Sequence, residues 1–179
     1  VATVDLYCKY FKHQAIHHPD LCHDDDTQVV FQIIDVQEAL SDMRSAKNPK
    51  LIYMRLIQFS STTEDNQADD TQEYLTGAFQ ILAHHSDRSS KSDHLKDVLE
   101  KTKKITDEIK VKMIADSNDG HPLFYYSLNT AKNFRVVPFL SEASSGYSGW
   151  SCSFQFSNHF SVCVGDTAWK DSGKTPHAL

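Results

Sequence analysis

One run, about 91–116, constrains this 179-residue chain more than any other, because Leu95, Val98, Leu99, Thr102, Ile105, Ile109 and Met113 recur in it at three- and four-residue spacing. That period gathers them into one stripe of a helix and leaves Lys96, Glu100, Lys103, Lys104, Glu108 and Lys112 on the opposite side. Glu100 with Lys104 and Glu108 with Lys112 have the favoured i,i+4 orientation, each worth about 0.3 kcal/mol. About 26 helical residues make a rod about 39 Å long. A core of this size needs less, so part of the helix is expected to contact something outside the chain.

The flanking segments read as elements that could cover such a stripe. Leu6, Tyr7, Tyr10, Phe11 and Ala15 form a helical stripe over 3–18, with Asp5 in the first turn and Pro19 as the stop. Val29 to Ile34 reads as a short strand. Asp35 is an N-cap, with Glu38 completing a capping box, for a second helix presenting Val36, Ala39, Leu40 and Met43 and ending at Asn48-Pro49. Leu51 to Phe59 lacks polar alternation and reads as a central strand covered on both faces. Residues 60–71 form an acidic linker, a wide hairpin loop to a strand at about 72–84; at that length a loop is either mobile or used for contacts. After the long helix come strands at about 123–129, 133–139 and 149–158, the last preceded by a turn from Ser144 to Gly149. In that strand Trp150, Cys152, Phe154 and Phe156 alternate with serines and Gln155. The tail 165–179 reads as irregular apart from Trp169. The expected fold is a single α+β domain over 1–179, with helices packed on a mostly antiparallel sheet.

Composition narrows the classes of function. With 18 basic and 24 acidic side chains the formal charge is −6, which argues against a protein whose task is gripping phosphate backbones. Forty per cent hydrophobic residues suit a globular chain. No run approaches the roughly 20 apolar residues of a membrane span. Val1 to Lys12 mix charge and aromatics and do not read as a signal peptide.

The cysteines (Cys8, Cys22, Cys152 and Cys163) form no CxxC and read as free thiols. His13, His17, His18, Cys22 and His23 crowd one stretch ahead of Asp24, Asp25 and Asp26, and His13 with His17 has i,i+4 ligand spacing. Gln14 stands where an HExxH protease needs glutamate, so the stretch reads as a helix end entering a solvated acidic loop. His84 and His85 are adjacent on a strand and would point to opposite faces. Asp24 to Asp26, and Asp69 with Asp70, lack the alternating spacing of a calcium loop. There is no GxSxG elbow, phosphate-cradling glycine loop or dinucleotide fingerprint. The expectation is a protein without catalytic residues, cofactor or metal; a small metal-binding enzyme, or a cellular adaptor module, is the alternative.

The chain also resembles a family of tail-terminator or neck-type proteins of Bacteroidetes phages. The likeness rests on the tyrosine-rich first helix (Tyr7, Tyr10, Phe11), the stretch from Phe31 to Leu40, the join Asn48-Pro49-Lys50-Leu51-Ile52 and the acidic insertion. It continues through Gly77 to Leu82, Ile109 to Asp116, Gly146 to Trp150 and Asp166-Thr167-Ala168-Trp169; beyond the first helix it spans about 30 to 170.

The resemblance implies a structural virion protein that forms a ring at the tail end or head–tail neck, joining or terminating the tail tube. Its partners would be copies of itself, adjacent tail-tube or neck proteins, and phage DNA sliding through the channel without specific binding; no membrane is involved. It would be made in the host cytoplasm and reside in the virion. A ring subunit needs two heterologous faces, and negative charge suits a channel for DNA. The loop 60–71 and the long helix are the expected intersubunit contacts, through Glu64, Asp65, Asp69, Asp70, Lys96, Lys103 and Lys104.

Overall fold

A computed structural model of the chain describes residues 4–21, 31–34, 52–65, 71–84, 91–119, 130–140 and 146–159. The elements are α1 (Val4–His17), β1 (Phe31–Ile34), β2 (Ile52–Asp65), β3 (Thr71–His84), α2 (Lys91–Asn118), β4 (Thr130–Leu140) and β5 (Tyr147–His159). The strands lie in the order β1-β2-β3-β5-β4; β1 runs parallel to β2 and every other pairing is antiparallel. The fold is α+β.

Both helices lie on one face of the sheet. Strand alternation places Met54, Leu56, Phe79, Ile81, Cys152, Phe154 and Phe156 on that face, and all of them are buried. Tyr7, Tyr10, Phe11 and Ala15 of α1 and Ile105, Ile109 and Met113 of α2 close over them in one cluster. At its centre the Phe11 ring lies 5.4 Å from Phe154 and 5.7 Å from Phe79, centroid to centroid. Each such ring contributes about 1.5–3 kcal/mol by leaving water. The long stripe includes two hydroxyls, and both are satisfied on their own helix: Thr102 Oγ1 donates to the Val98 carbonyl at 2.7 Å and Thr106 Oγ1 to the Thr102 carbonyl at 2.8 Å.

The helices run antiparallel to each other. Tyr10 meets Asp116, and His18, just past the end of α1, meets Glu108. Pro19 stops α1, and a short turn closed by the Leu21 N–H on the His18 carbonyl returns Leu21 to the core.

Ile52 to Leu56 are buried on both faces of β2, as expected of a strand covered on both sides, although the centre of the sheet is β3. On the second face Tyr53, Leu82 and Tyr147 form a smaller cluster with Phe139 packed against it. Beyond it the second face turns polar, with Gln80, Ser151, Ser153 and Gln155 half-exposed.

Three expectations need correction. The loop 60–71 is largely strand, because pairing continues from Ser60↔Thr76 to Asp65↔Thr71 after a bulge between Ile57 and Ser60. Polarity misled here: β3 is backed by β5 as far as Gln72↔His159, so ladder bonds on both sides of β3 carry the polar run into the sheet. The turn expected from Ser144 to Gly149 also shrinks, since β5 begins at Tyr147 and only Gly146, at φ 65°, keeps a turn conformation among its described residues. Gly149 lies inside the strand, where an added Cβ would run into the backbone carbonyl of Ile81. Finally, β4 starts at Thr130 and carries a bulge at Asn133, which adopts φ 56° and donates from Nδ2 to Gln155 Oε1 at 2.7 Å. The helix read at 35–48, the strand at 123–129 and the tail 165–179 lie outside the described residues.

Candidate interaction surface

The outward side of α2 carries the chemistry. Leu95 and Leu99, read in the sequence as core positions, are only half-buried, and with the half-buried Trp150 of β5 they form the apolar floor of an open groove. The Trp150 indole N–H donates to the Leu99 carbonyl at 2.9 Å, which pins the ring against the helix. Lys96, Lys103 and Lys104 stand around that floor, so the structure brings three of the sequence-derived contact residues together in one groove. The Lys103 ammonium sits 5.4 Å above the Trp150 ring, a cation–π contact.

The charge pairs run opposite to expectation. Four lysines bond an acid four residues after them: Lys96 with Glu100 at 3.7 Å, Lys103 with Asp107, Lys104 with Glu108 at 3.6 Å, and Lys112 with Asp116. Asp107 is the hub of the row, accepting from Lys103 on one oxygen and from Lys110 at 3.1 Å on the other. Burial alone would raise its pKa, but the hydrogen bonds and charges of Lys103 and Lys110 outweigh that and hold it below its ordinary value. The two exposed pairs, Lys96–Glu100 and Lys104–Glu108, contribute a few tenths of a kcal/mol, so these two lysines can exchange partners at little cost.

Further along the same side of α2, Val111 is 60% exposed and Ile114 39% exposed. At the edge of the sheet Leu140 is 58% exposed, one residue beyond the strand partner of Gly149. Val111 and Ile114 are on the outward side of α2, beside the buried Ile109 and Met113.

The remaining candidate contact residues lie elsewhere. Glu64 and Asp65 occupy the last rungs of β2, opposite Gln72 and Thr71. The Gln72 rung is nine residues along β3 from Ile81, the neighbour of Trp150, a separation of about 30 Å. Asp69 and Asp70 are outside the described residues.

The histidine-rich stretch divides. The His13 and His17 rings stack 4.0 Å apart at 22°, and His17 Nδ1 contacts the His13 carbonyl at 2.9 Å. Near-parallel rings aim their in-plane nitrogens alongside each other, a poor start for a shared ligand site. His18, Asp20 and Glu108 do converge, with potential ligand atoms within 4.8 Å. There the Asp20 N–H donates to His18 Nδ1 at 3.2 Å, which assigns the ring proton to Nε2, 3.1 Å from Glu108. The arrangement ties α1 to α2. Cys22 and His23 are outside the described residues.

Among the described thiols Cys8 is half-buried and Cys152 fully buried; burial pushes the Cys152 pKa up to about 11, away from reactive thiolate. Sequence reasoning missed Trp150 as part of the surface, because its alternation assigns it to the core face without saying that α2 leaves that row half open. It also missed Asp107, whose two lysine partners are ordinary helix spacing. No helix among the described residues is long and apolar enough to cross a membrane. No protein-family model matches the chain, and no curated protein matches it.

Proposed function

We propose that this chain is a structural subunit of a ring at the tail end or head–tail neck of a Bacteroidetes phage, residing in the virion and acting through its surfaces. The observation that carries this reading is the placement of two unlike candidate surfaces at separate levels of one sheet. One is the apolar groove on α2, rimmed by Lys96, Lys103 and Lys104 together with Glu100 and Asp107; the other is the end of the β2–β3 hairpin, about 30 Å away along β3. Unlike surfaces on one subunit form heterologous contacts, which close into rings when the rotation between neighbours allows it.

The resemblance in element order and residue clusters supplies the location in the virion. The net charge of −6 suits a subunit lining a passage for DNA, which would slide past like charge without sticking. The neighbouring tail-tube or neck proteins would stack on the ring's flat faces. In this role the chain has no catalytic residue and takes no cofactor; its groups act by packing and charge.

Immunogold labelling of native particles tests the proposal. Gold confined to the tail end or neck is the expected result, whereas intact particles that lack the protein would overturn it.

A further inference from the structure

We propose that His18, Asp20 and Glu108 form a site for one divalent ion of the zinc class, which clamps the end of α1 to α2. Among the described residues this is the one place where three such side chains converge, each offering a ligand atom within 4.8 Å of the other two. The sequence alone led to the expectation of a chain without metal, and the ligand spacing it offered was that of His13 and His17. The convergence falls instead on His18, whose partner Glu108 lies 90 residues away. The proposed ring neither requires this site nor supports it.

Two of the three ligands already stand at a suitable separation. His18 Nε2 lies 3.1 Å from Glu108 Oε2, and two ligand atoms on a tetrahedral zinc are about 3.3 Å apart. The turn carrying His18 and Asp20 is fixed in place. The His18 N–H donates to the Gln14 carbonyl at 2.9 Å, the Leu21 N–H donates to the His18 carbonyl at 3.0 Å, and Leu21 is anchored in the core. The His18 side chain is 11% exposed, so its ring is positioned in advance. Glu108 and Asp20 are exposed, and supply adjustable carboxylates and a path from solvent. One imidazole nitrogen with two carboxylate oxygens suits zinc, whereas calcium and magnesium select oxygen alone.

Binding displaces two weak contacts. Lys104 Nζ stands 3.6 Å from the other Glu108 oxygen on exposed surface and competes little. Nε2 must give its lone pair to the ion, so the ring proton passes to Nδ1 and the 3.2 Å contact from the Asp20 N–H is given up to water. In exchange, a single hydrogen bond between the helices becomes a set of coordinate bonds from both. An ion that binds only the folded chain stabilises it by mass action.

Zinc titration of the full-length, untagged chain after treatment with a chelator tests the proposal. One zinc per chain is expected by equilibrium dialysis and metal analysis, with a thermal midpoint that rises with zinc concentration. His18→Gln and Glu108→Gln are each expected to weaken zinc binding about tenfold or more, while H13Q/H17Q leaves it in place. Cobalt, used as a coloured probe, is expected to show ligand-field bands without a thiolate charge-transfer band. Circular dichroism checks the folding of each variant. Nitrogen NMR of the unaltered chain, in which zinc should shift His18 Nε2, reads the ligand without any substitution. Absence of stoichiometric zinc at about 100 μM free ion overturns the site. So does full affinity in both His18→Gln and Glu108→Gln, or a thiolate band that places the ion on a cysteine.

Discussion

The Tyr10 hydroxyl donates a 2.8 Å hydrogen bond to Asp116 Oδ2, joining α1 to the end of α2 across 106 residues of sequence. Asp116 is 4% exposed, and Lys112 bonds its other oxygen. A carboxylate so deeply placed is stable only while both partners hold it. Burial first, and the neighbouring Asp116 second, raise the Tyr10 pKa far above its ordinary value, so the donor proton stays in place. Tyr10→Phe is expected to cost about 1–3 kcal/mol, seen as a lower urea midpoint with an unchanged slope.

Two glycines sit where side chains would collide, with different severity. A Cβ on Gly77 would meet the Tyr7 hydroxyl and lie 2.9 Å from the Phe154 ring, both side chains. A Cβ on Gly149 would meet the backbone of Ile81, which cannot swing aside. Gly77→Ala is expected to cost about 1–3 kcal/mol, with part recovered by Tyr7→Phe, and Gly149→Ala to cost more. Thermal unfolding of the three variants measures the order.

Asp107 sets an acid dependence. Its folded pKa lies below the ordinary 3.8, so the stability it adds is complete above 3.8 and is lost as pH falls through the folded value. Asp107→Asn is expected to lower stability at neutral and alkaline pH while leaving the most acidic end nearly unchanged, which flattens the acid limb of the stability-against-pH curve. Urea titrations at a series of pH values show it.

Cys152 is expected to resist thiol reagents in the folded chain at about pH 8, because its buried thiol ionises only near pH 11. Full modification in denaturant and none without it is the expected result of mass-resolved alkylation.

Much of the fold could be read from periodicity. The long stripe from Val98 to Met113 is buried where its spacing placed it, and Cys152, Phe154 and Phe156 share the core face. Order failed where stability comes from pairing rather than burial. Ser60 to Asp65 carry no apolar signal, yet ladder bonds to β3 make them strand. Gly149 resembles a turn residue in sequence, and only the tight approach of Ile81 explains it within β5. Lys96, Lys103 and Lys104 were legible as surface; that they share a groove with Trp150 depends on a register between distant segments that no local pattern encodes.

Native mass spectrometry of the full-length chain across a concentration series tests the central claim most directly. A closed ring requires one discrete stoichiometry that strengthens with concentration and gives way under charge reversal in the α2 groove. Monomer at every concentration, or an open ladder of sizes without a favoured one, would contradict it.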